Sequence, residues 1–339
     1  MLPSIRPIFS ESASMLKRVP FAFAGDVLRW AAWLYHVENR TQIEIAEELD
    51  VSRQTVANYL SDAMSQGLVQ IQVRPDILKE HSLASELKSC FGLTDVHIIP
   101  TPNSAGQLID RLGRAGGQVI HHMSTDGDII GVAFGRTVQR LGTFMPLSDQ
   151  PGTKIVQVAG CSIGGTGTSP EVCAALIAAK MSAQCANLFA PAYCSNEQLT
   201  ASLLSEPSLR RQFDLFSKID LMVFGVGQLN AETELTFNED HFSDDAIRNE
   251  YLNLGAVGVI YGRFIDQEGQ EIEGPMKNLT IAIDLKTTLL APKRVAICGG
   301  KEKTSAIFAT LKAGFATHFV TDEQTARRIL RANKQDNSQ

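Results

Sequence analysis

The stretch Thr41-Gln-Ile-Glu-Ile-Ala-Glu-Glu-Leu-Asp-Val-Ser-Arg-Gln-Thr-Val-Ala-Asn-Tyr-Leu60 decides how the first part of the chain folds. Ile45, Ala46 and Leu49 fall at i, i+1 and i+4, and Val56, Leu60 and Ala63 at i, i+4 and i+7, so each run presents one apolar helical face. Ala46 is small where a second helix must cross closely. Asp50-Val51 is a tight turn between the runs, with Val51 plugging the angle. Glycine is common at the first of these positions, and aspartate also accepts the unusual backbone such a turn asks for. Ser52 suits an N-cap, its oxygen accepting an orphan backbone N–H. The pattern predicts a helix-turn-helix.

The outer face of the second helix then carries Arg53, Gln54, Thr55 and Asn58 near its start. In a major groove, arginine suits guanine and glutamine or asparagine suits adenine. Ser52 and Thr55 can hold phosphate oxygens, aided by the helix dipole. Thr41 and Gln42, opening the first helix, complete the candidate DNA-contacting set. Upstream, Asp26 to Val37 offers a third packing surface through Leu28, Ala31, Ala32, Leu34 and Tyr35. Downstream of Gly67, Leu68 to Val73 alternates apolar and polar, as a wing strand would. Residues 1–75 hold seven Lys/Arg against eight Asp/Glu, so affinity for DNA must come from arginine placement and from two heads acting together.

Working outward, 339 residues exceed one ordinary domain, and 44% hydrophobic with 20% charged residues supports a full core. A net charge of -6 excludes a chain that coats nucleic acid along its length. The six cysteines contain no C-x-x-C pair, which argues against a zinc ribbon or disulfide framework and for reduced thiols. No metal site or cofactor is expected. No apolar run approaches a membrane span, and residues 1–25 are too interrupted for a signal peptide, so they read as a loose tail of a cytoplasmic protein.

The first boundary falls at Arg74-Pro75-Asp76, where Pro75 forces extended backbone before it. Asp76 then caps a connecting helix over 76–92 that carries Ile77, Leu83, Leu87 and Phe91. That helix either packs on the main domain or forms a dimer. Beyond residue 93 short β-rich runs alternate with helices. The runs are Val96–Ile99, Ile129–Val132, Lys154–Val158, Asn187–Phe189, Leu221–Val226, Ala256–Tyr261, Leu279–Ile283, Val295–Ile297 and Thr317–Val320. Many are apolar without alternation, as in a parallel sheet covered on both faces. The expected fold class is α/β: a winged helix-turn-helix over 26–75 and a larger doubly wound domain over 93–332, with 333–339 frayed.

Ligands of such sheets bind outside the carboxyl ends of the strands. Four strand ends run into glycine-containing loops. In Ile129-Ile-Gly-Val-Ala-Phe-Gly-Arg-Thr137, Gly131 and Gly135 let the backbone approach an anion, which Arg136, Thr137 and helix-start amides would hold. The strand at Lys154 leads to Gly160, Gly164, Gly165 and Gly167. A third loop ends in Gly225-Val-Gly-Gln228, and a fourth is Gly299-Gly-Lys-Glu-Lys303. None is a nucleotide fingerprint. Together they point to a phosphorylated or polyhydroxylated ligand. Asp220 and Asp266 read as cap or turn residues, and no histidine has metal-ligand spacing.

The helix-turn-helix, Gly67-Leu-Val-Gln-Ile71, Gly131 to Thr137, Ala190-Pro-Ala192, Gly255-Ala-Val-Gly258, Gly262-Arg-Phe-Ile-Asp266, Gly299-Gly300 with Lys303 and Val320-Thr-Asp-Glu323 resemble the SorC, or DeoR-like, family of bacterial sugar-responsive transcriptional regulators. The resemblance spans about residues 26–332. It implies an effector domain similar in fold to sugar-phosphate isomerases and glucosamine-phosphate deaminases. It also implies operator DNA, a sugar, polyol or sugar-phosphate effector, and a homodimer or homotetramer. By resemblance Gly135, Arg136 and Thr137 match the phosphate loop, Lys303 matches a phosphate-contacting lysine, and Gly160 and Cys161 lie in a second ligand-facing loop. The glycine loops add Gly227, Gln228, Gly299, Gly300 and Lys301. Val259 stands where many relatives carry an acidic residue. Related deaminases have Gly-His shortly after Gly-x-Gly, but here Gly225-Val-Gly227 leads to Gln228-Leu-Asn230, so binding without catalysis is expected. The alternative is an active isomerase or deaminase bearing a DNA-binding head.

Overall fold

A computed structural model describes residues 19–70, 82–161, 168–230 and 244–336. They belong to two compact units, Met1–Arg74 and Pro75–Gln339.

The first unit is helical: α1 (Val27–His36), α2 (Gln42–Leu49) and α3 (Arg53–Ser65). Each start is capped. Asp26 accepts from the Leu28 and Arg29 N–H groups at 3.0 and 3.2 Å. Thr41 and Glu44 form a reciprocal capping box, with Glu44 N–H on Thr41 Oγ1 at 3.3 Å and Thr41 N–H on the Glu44 carboxylate at 2.7 Å. Ser52 Oγ accepts from Thr55 N–H at 3.0 Å. Asp50 takes the left-handed turn position, φ 58 and ψ 49. After α3, Gly67 is left-handed at φ 74, and its N–H and that of Leu68 return to Met64 and Ala63 carbonyls at 3.1 and 2.9 Å, closing the helix end.

Ile45, Ala46, Leu49, Val56 and Leu60 meet Trp30, Ala31 and Leu34 in the core of this unit. Trp30 rather than Leu28 or Tyr35 centres the α1 face, because Trp30, Ala31 and Leu34 stand at i, i+1 and i+4; Tyr35 is 37% exposed. The tail is not loose as far as residue 25. Val19 is buried, and Phe23 sets its ring 4.8 Å from Trp30 and 5.7 Å from Trp33, covering apolar surface that α1 leaves open. Of the expected wing strand, Leu68 to Gln70 are described and form no strand, Leu68 and Val69 making a bend; residues 71–73, like residues 1–18, lie outside the described residues.

The second unit opens with α4 (Ser82–Phe91); its expected Asp76 cap and Ile77 lie outside the described residues. Leu83 and Leu87 are buried in the main core and Phe91 meets Phe308 edge-on at 5.8 Å, so this helix packs on its own domain. Seven parallel strands follow: β1 (Asp95–Ile99), β2 (Ile129–Val132), β3 (Lys154–Gln157), β4 (Gln184–Ala186), β5 (Leu221–Phe224), β9 (Lys293–Ile297) and β10 (His318–Asp322), in the order β1-β10-β9-β5-β2-β3-β4. A separate antiparallel sheet holds β6 (Gly227–Gln228), β7 (Gly258–Ile260) and β8 (Arg263–Ile265).

The principal helices are α5 (Ala105–Met123), α6 (Arg136–Phe144), α7 (Pro170–Met181), α8 (Glu197–Ser205), α9 (Pro207–Phe213), α10 (Asp244–Asn253), α11 (Leu285–Thr288), α12 (Thr304–Lys312) and α13 (Glu323–Asp336). Side chains of α5, α6 and α7 share one buried cluster with Ile130, Val132 and Val295, and those of α4, α12 and α13 share another with Met222, Phe224 and Ala296. Alternate residues of the strands thus feed opposite faces of the sheet, which is why their sequences read as unbroken apolar runs.

Three β-runs differ from expectation. The edge strand is Gln184–Ala186, in register with Lys154–Val156, and Phe189 of the expected run is 81% exposed. Leu279–Ile283 makes only single bridges, at Thr280 and Ala282, while the Arg263 guanidinium donates to the Ile283 and Ala282 carbonyls at 2.7 and 2.9 Å. Ala256–Tyr261 supplies β7, which folds back on β8 through Tyr261-Gly262. Both turn residues have positive φ, 55 and 81, as a tight hairpin turn requires. Gly131 lies within β2 and faces Ile219 and Met222, so it serves packing, not ligand approach. At the carboxyl end α13 stays helical to Asp336, held by Lys334–Glu86 at 3.0 Å and Lys312–Asp336 at 2.8 Å; residues 337–339 lie outside the described ones.

Helices α5 and α6 touch through glycine. A Cβ on Gly113 would stand 2.5 Å from Arg140 Cβ and 2.8 Å from the Arg140 carbonyl carbon. Backbone cannot yield as a flexible side chain can. Gly113→Ala should therefore destabilise the second unit by about 1–3 kcal/mol, seen as a lower denaturant midpoint without loss of helix content.

Candidate functional site

The strand order reverses between β2 and β5. From β2 the chain builds outward through β3 and β4, then returns to place β5 on the other side of β2 and continues to β9 and β10. Loops leaving the carboxyl ends of β2 and β5 therefore diverge, and the crevice between them has no crossing connection. A cavity of about 370 Å³ lies there. Its wall includes Phe134-Gly-Arg-Thr137 after β2, Gly225-Val-Gly227 after β5 and Gly299, Glu302 and Lys303 after β9. Ala105 and Gly106, at the start of α5, and the Tyr261-Gly262 turn close two further sides.

Gly135 is the N-cap of α6 with φ 133, and a Cβ there would meet nothing within 4 Å, so the backbone conformation demands glycine. Arg136 and Thr137 open α6 and face the cavity. Lys303 reaches it from the 3₁₀ turn before α12, and its Nζ donates to the Val226 carbonyl at 2.8 Å. Burial lowers the Lys303 pKa below its usual range and Arg136 adds repulsion, whereas Cys298 and Glu302 oppose the shift. Two cations converge on one end of a largely apolar cavity, an arrangement suited to a ligand with an anionic head. Among the described residues no histidine lines it.

The other sequence-predicted positions lie elsewhere. Gly160 backs onto Pro191, whose carbonyl would be 2.3 Å from a Cβ, and falls outside the cavity wall. Cys161 Sγ sits 3.4 Å from Gln157 Nε2 and 3.7 Å from the Leu188 carbonyl; burial raises its pKa. Gly164, Gly165 and Gly167 lie outside the described residues. Gln228 pairs with Gly258 in β6 and is not in the wall. Gly300 N–H is committed to Thr325 Oγ1 at 2.8 Å, and Lys301 is exposed outside the cavity. Asp220 and Asp266 hold backbone amides, Ile129 N–H at 2.9 Å and Gln270 N–H at 2.8 Å, as cap and turn residues do.

Sequence reasoning missed Glu302, Val226 and Tyr261. Tyr261 carries the clearest signal. It precedes glycine in a two-residue turn, adopts φ 55, and its buried hydroxyl has no partner among the described residues. Burial raises its pKa far above the usual tyrosine range. A bulky left-handed residue beside a pocket stores strain that the surroundings must hold.

In the first unit, Arg53, Gln54 and Asn58 are exposed along one side of α3. Gln54 Nε2 donates to Asn58 Oδ1 at 3.3 Å, and Arg53 Nε reaches Gln42 Oε1 at 3.4 Å, joining the starts of α2 and α3. Thr41 spends its N–H and hydroxyl on Glu44, and Ser52 caps α3, so both shape the surface through backbone. A shallow cleft beside them includes Tyr35, Asn39 and Arg40, which the expected DNA-contacting set does not contain. Arg40 is paired with Glu38 at 3.3 Å and Glu48 at 2.6 Å.

Residues 76–331 match the family model of a sugar-binding domain, Sugar-bind. The chain belongs to that family, in its SorC/DeoR-type transcriptional regulators. It is 31% identical over 314 residues to the transcriptional regulator YjhU of Escherichia coli K12, covering 91% of this chain and 95% of that one. It is 29% identical to the deoxyribonucleoside regulator of Bacillus subtilis 168, covering 88% and 96%. The full-length sorbitol operon regulator SorC from Klebsiella pneumoniae has the same fold, with TM-score 0.72 at 23% identity over 90% of this chain and 98% of that one. The mostly parallel α/β unit of this regulator, with its helical N-terminal unit, is the architecture of that family. Among the described residues no helix is long and apolar enough to cross a membrane.

The lowered pKa of Lys303 has a signed consequence. The unfolded chain holds this proton more tightly than the native one, so stability rises with pH through the window between the lowered value and the ordinary 10.5. Lys303→Met should flatten that rise when unfolding free energy is measured across the alkaline range.

Proposed function

We propose that this regulator grips double-stranded operator DNA with the start of α3 and that a sugar, polyol or sugar phosphate in the crevice sets how firmly it does so. The single observation carrying the effector half is the convergence of Arg136, Thr137 and Lys303 on one end of a cavity at the reversal of strand order. Gly135, whose Cβ would meet nothing within 4 Å, leaves that end open to a ligand's head, with Gly227 and Gly299 in the same wall. Support for the DNA half comes from the exposed Arg53, Gln54 and Asn58, with Thr41, Gln42, Ser52 and Thr55 framing them. Residues 26–75 act as the head and 93–332 as the effector domain, in the cytoplasm.

Two heads, supplied by a homodimer or homotetramer, meet half-sites about one helical turn apart or a multiple of it. The effector prefers one assembly geometry and shifts the population toward it. No residue is assigned a catalytic role. Among the described residues no histidine lines the cavity for acid–base work at a sugar carbon, and the named relatives are transcriptional regulators.

Arg53→Ala should weaken binding to genomic fragments selected by the wild-type chain at least tenfold in fluorescence anisotropy at fixed salt, with an unchanged melting temperature. Unaltered DNA affinity would refute α3 as the reading helix. In a thermal-shift screen of sugars, polyols and their phosphates, Lys303→Ala should lose the stabilisation given by a phosphorylated compound. Equal stabilisation in both proteins would point to an unphosphorylated effector.

A further inference from the structure

Behind the glycine loop of the cavity lies a buried carboxylate with no cationic partner among the described residues. Asp322, 1% exposed at the end of β10, accepts from Thr101 Oγ1 at 2.6 Å, from Thr325 N–H at 3.2 Å and from Thr325 Oγ1 at 2.5 Å. Thr325 Oγ1 in turn accepts the Gly300 N–H at 2.8 Å. Thr101 Oγ1 also accepts the Gln324 N–H at 2.9 Å. A Cβ on Gly299 would stand 2.6 Å from Asp322 Oδ2. Asp322 is thus pinned by three donors, and the loop presses its barest residue against it.

The network joins three places. Thr101 belongs to the segment between β1 and α5, whose first residues line the cavity. Gly299 and Gly300 lead into the turn that carries Lys303 to the cavity. Thr325 stands in the first turn of α13, which Asp322 caps. That helix packs along α4, the first described element of its unit, with Lys334 and Glu86 paired at 3.0 Å.

We propose that Asp322 and Thr325 are positioning residues for the effector pocket. They set the loop that aims Lys303 and lock it to the first turn of α13, so that occupancy of the pocket is registered on that helix. The proposal rests on the reading of the cavity as an effector site. Neither residue touches the ligand. The bond from Gly300 N–H to a hydroxyl, not to a ligand, means the loop is preorganised by the protein, and a ligand that tightens the loop tightens the start of α13 through the same atoms.

Full-length wild-type, Thr325→Val and Thr325→Ser chains separate this from simple packing. Valine keeps the volume and removes the hydroxyl; serine keeps the hydroxyl. Without ligand, amide exchange at 300–303 and 323–327 should be at least tenfold faster in Thr325→Val, near wild type in Thr325→Ser, and melting temperatures should stay within a few degrees. Affinity for inorganic phosphate and glucose 6-phosphate should fall about tenfold in Thr325→Val and recover in Thr325→Ser. Bound ligand should slow exchange at 323–327 in wild type but not in the valine variant.

If Thr325→Val does not fold, Thr101→Val removes the donor from the opposite side and should give the same pattern at about threefold. Unchanged exchange in the valine variants, or faster exchange with undiminished affinity for a probe that wild type binds, overturns the proposal. Equal losses in Thr325→Ser overturn it as well. A wild-type chain that binds neither probe refutes the phosphate reading of the pocket, and the inference then stands or falls on exchange at 300–303 and 323–327 alone.

Discussion

The carboxyl ends of β2 and β5 lie side by side in the sheet while the chain connections leaving them run in opposite directions. A parallel sheet cannot reverse its building direction without leaving a gap above the reversal, because each crossover covers only its own side. Every pocket-facing group depends on that gap. Gly135 to Thr137 rise from one lip, Gly225 to Gly227 from the other, and the loop after β9 brings Lys303 across. Close packing of α5 on α6 through glycine fixes the width of one wall.

The electrostatics of the crevice follow from that geometry. Lys303 is held among apolar side chains and backbone, where its charge is poorly solvated, and the exposed Arg136 adds repulsion. An anion bound there would offset the desolvation penalty and the mutual repulsion of the two cations. The same economy recurs at the head. Caps on each helix start satisfy backbone groups locally and leave the α3 side chains free to face outward.

Local patterns were legible in the residues wherever neighbours in sequence settle the matter. The helix-turn-helix, its Asp50 turn and Ser52 cap, the strands at Ile129 and Val295 and the glycine demanded at 135 all follow from spacing and backbone sterics. Less legible were features set by partners distant in sequence. Gly131 and Gly160 look like the other loop glycines, yet one packs on Met222 and the other on Pro191. Gly300 resembles an anion-binding amide until Thr325, 25 positions away, is seen to take its N–H. Leu279 to Ile283 has strand composition, but Arg263 takes its last two carbonyls and the rest bonds to two separate segments, at Cys194 and Gly160.

By itself, then, the amino-acid order determined the two-part architecture, the helix-turn-helix and the glycine turns at the strand ends, since periodicity, capping and glycine placement act within a few residues of one another. Tertiary structure alone decided which strand ends meet, and therefore which glycine loops share a cavity. It also decided that Tyr261 and Glu302 belong to the cavity and that Asp322 stands behind it. Those outcomes depend on strand order and on buried hydrogen bonds spanning hundreds of residues, such as Thr101 to Asp322. Such contacts form because an unpaired polar group is costly inside a core, and no local pattern records which partner will satisfy it.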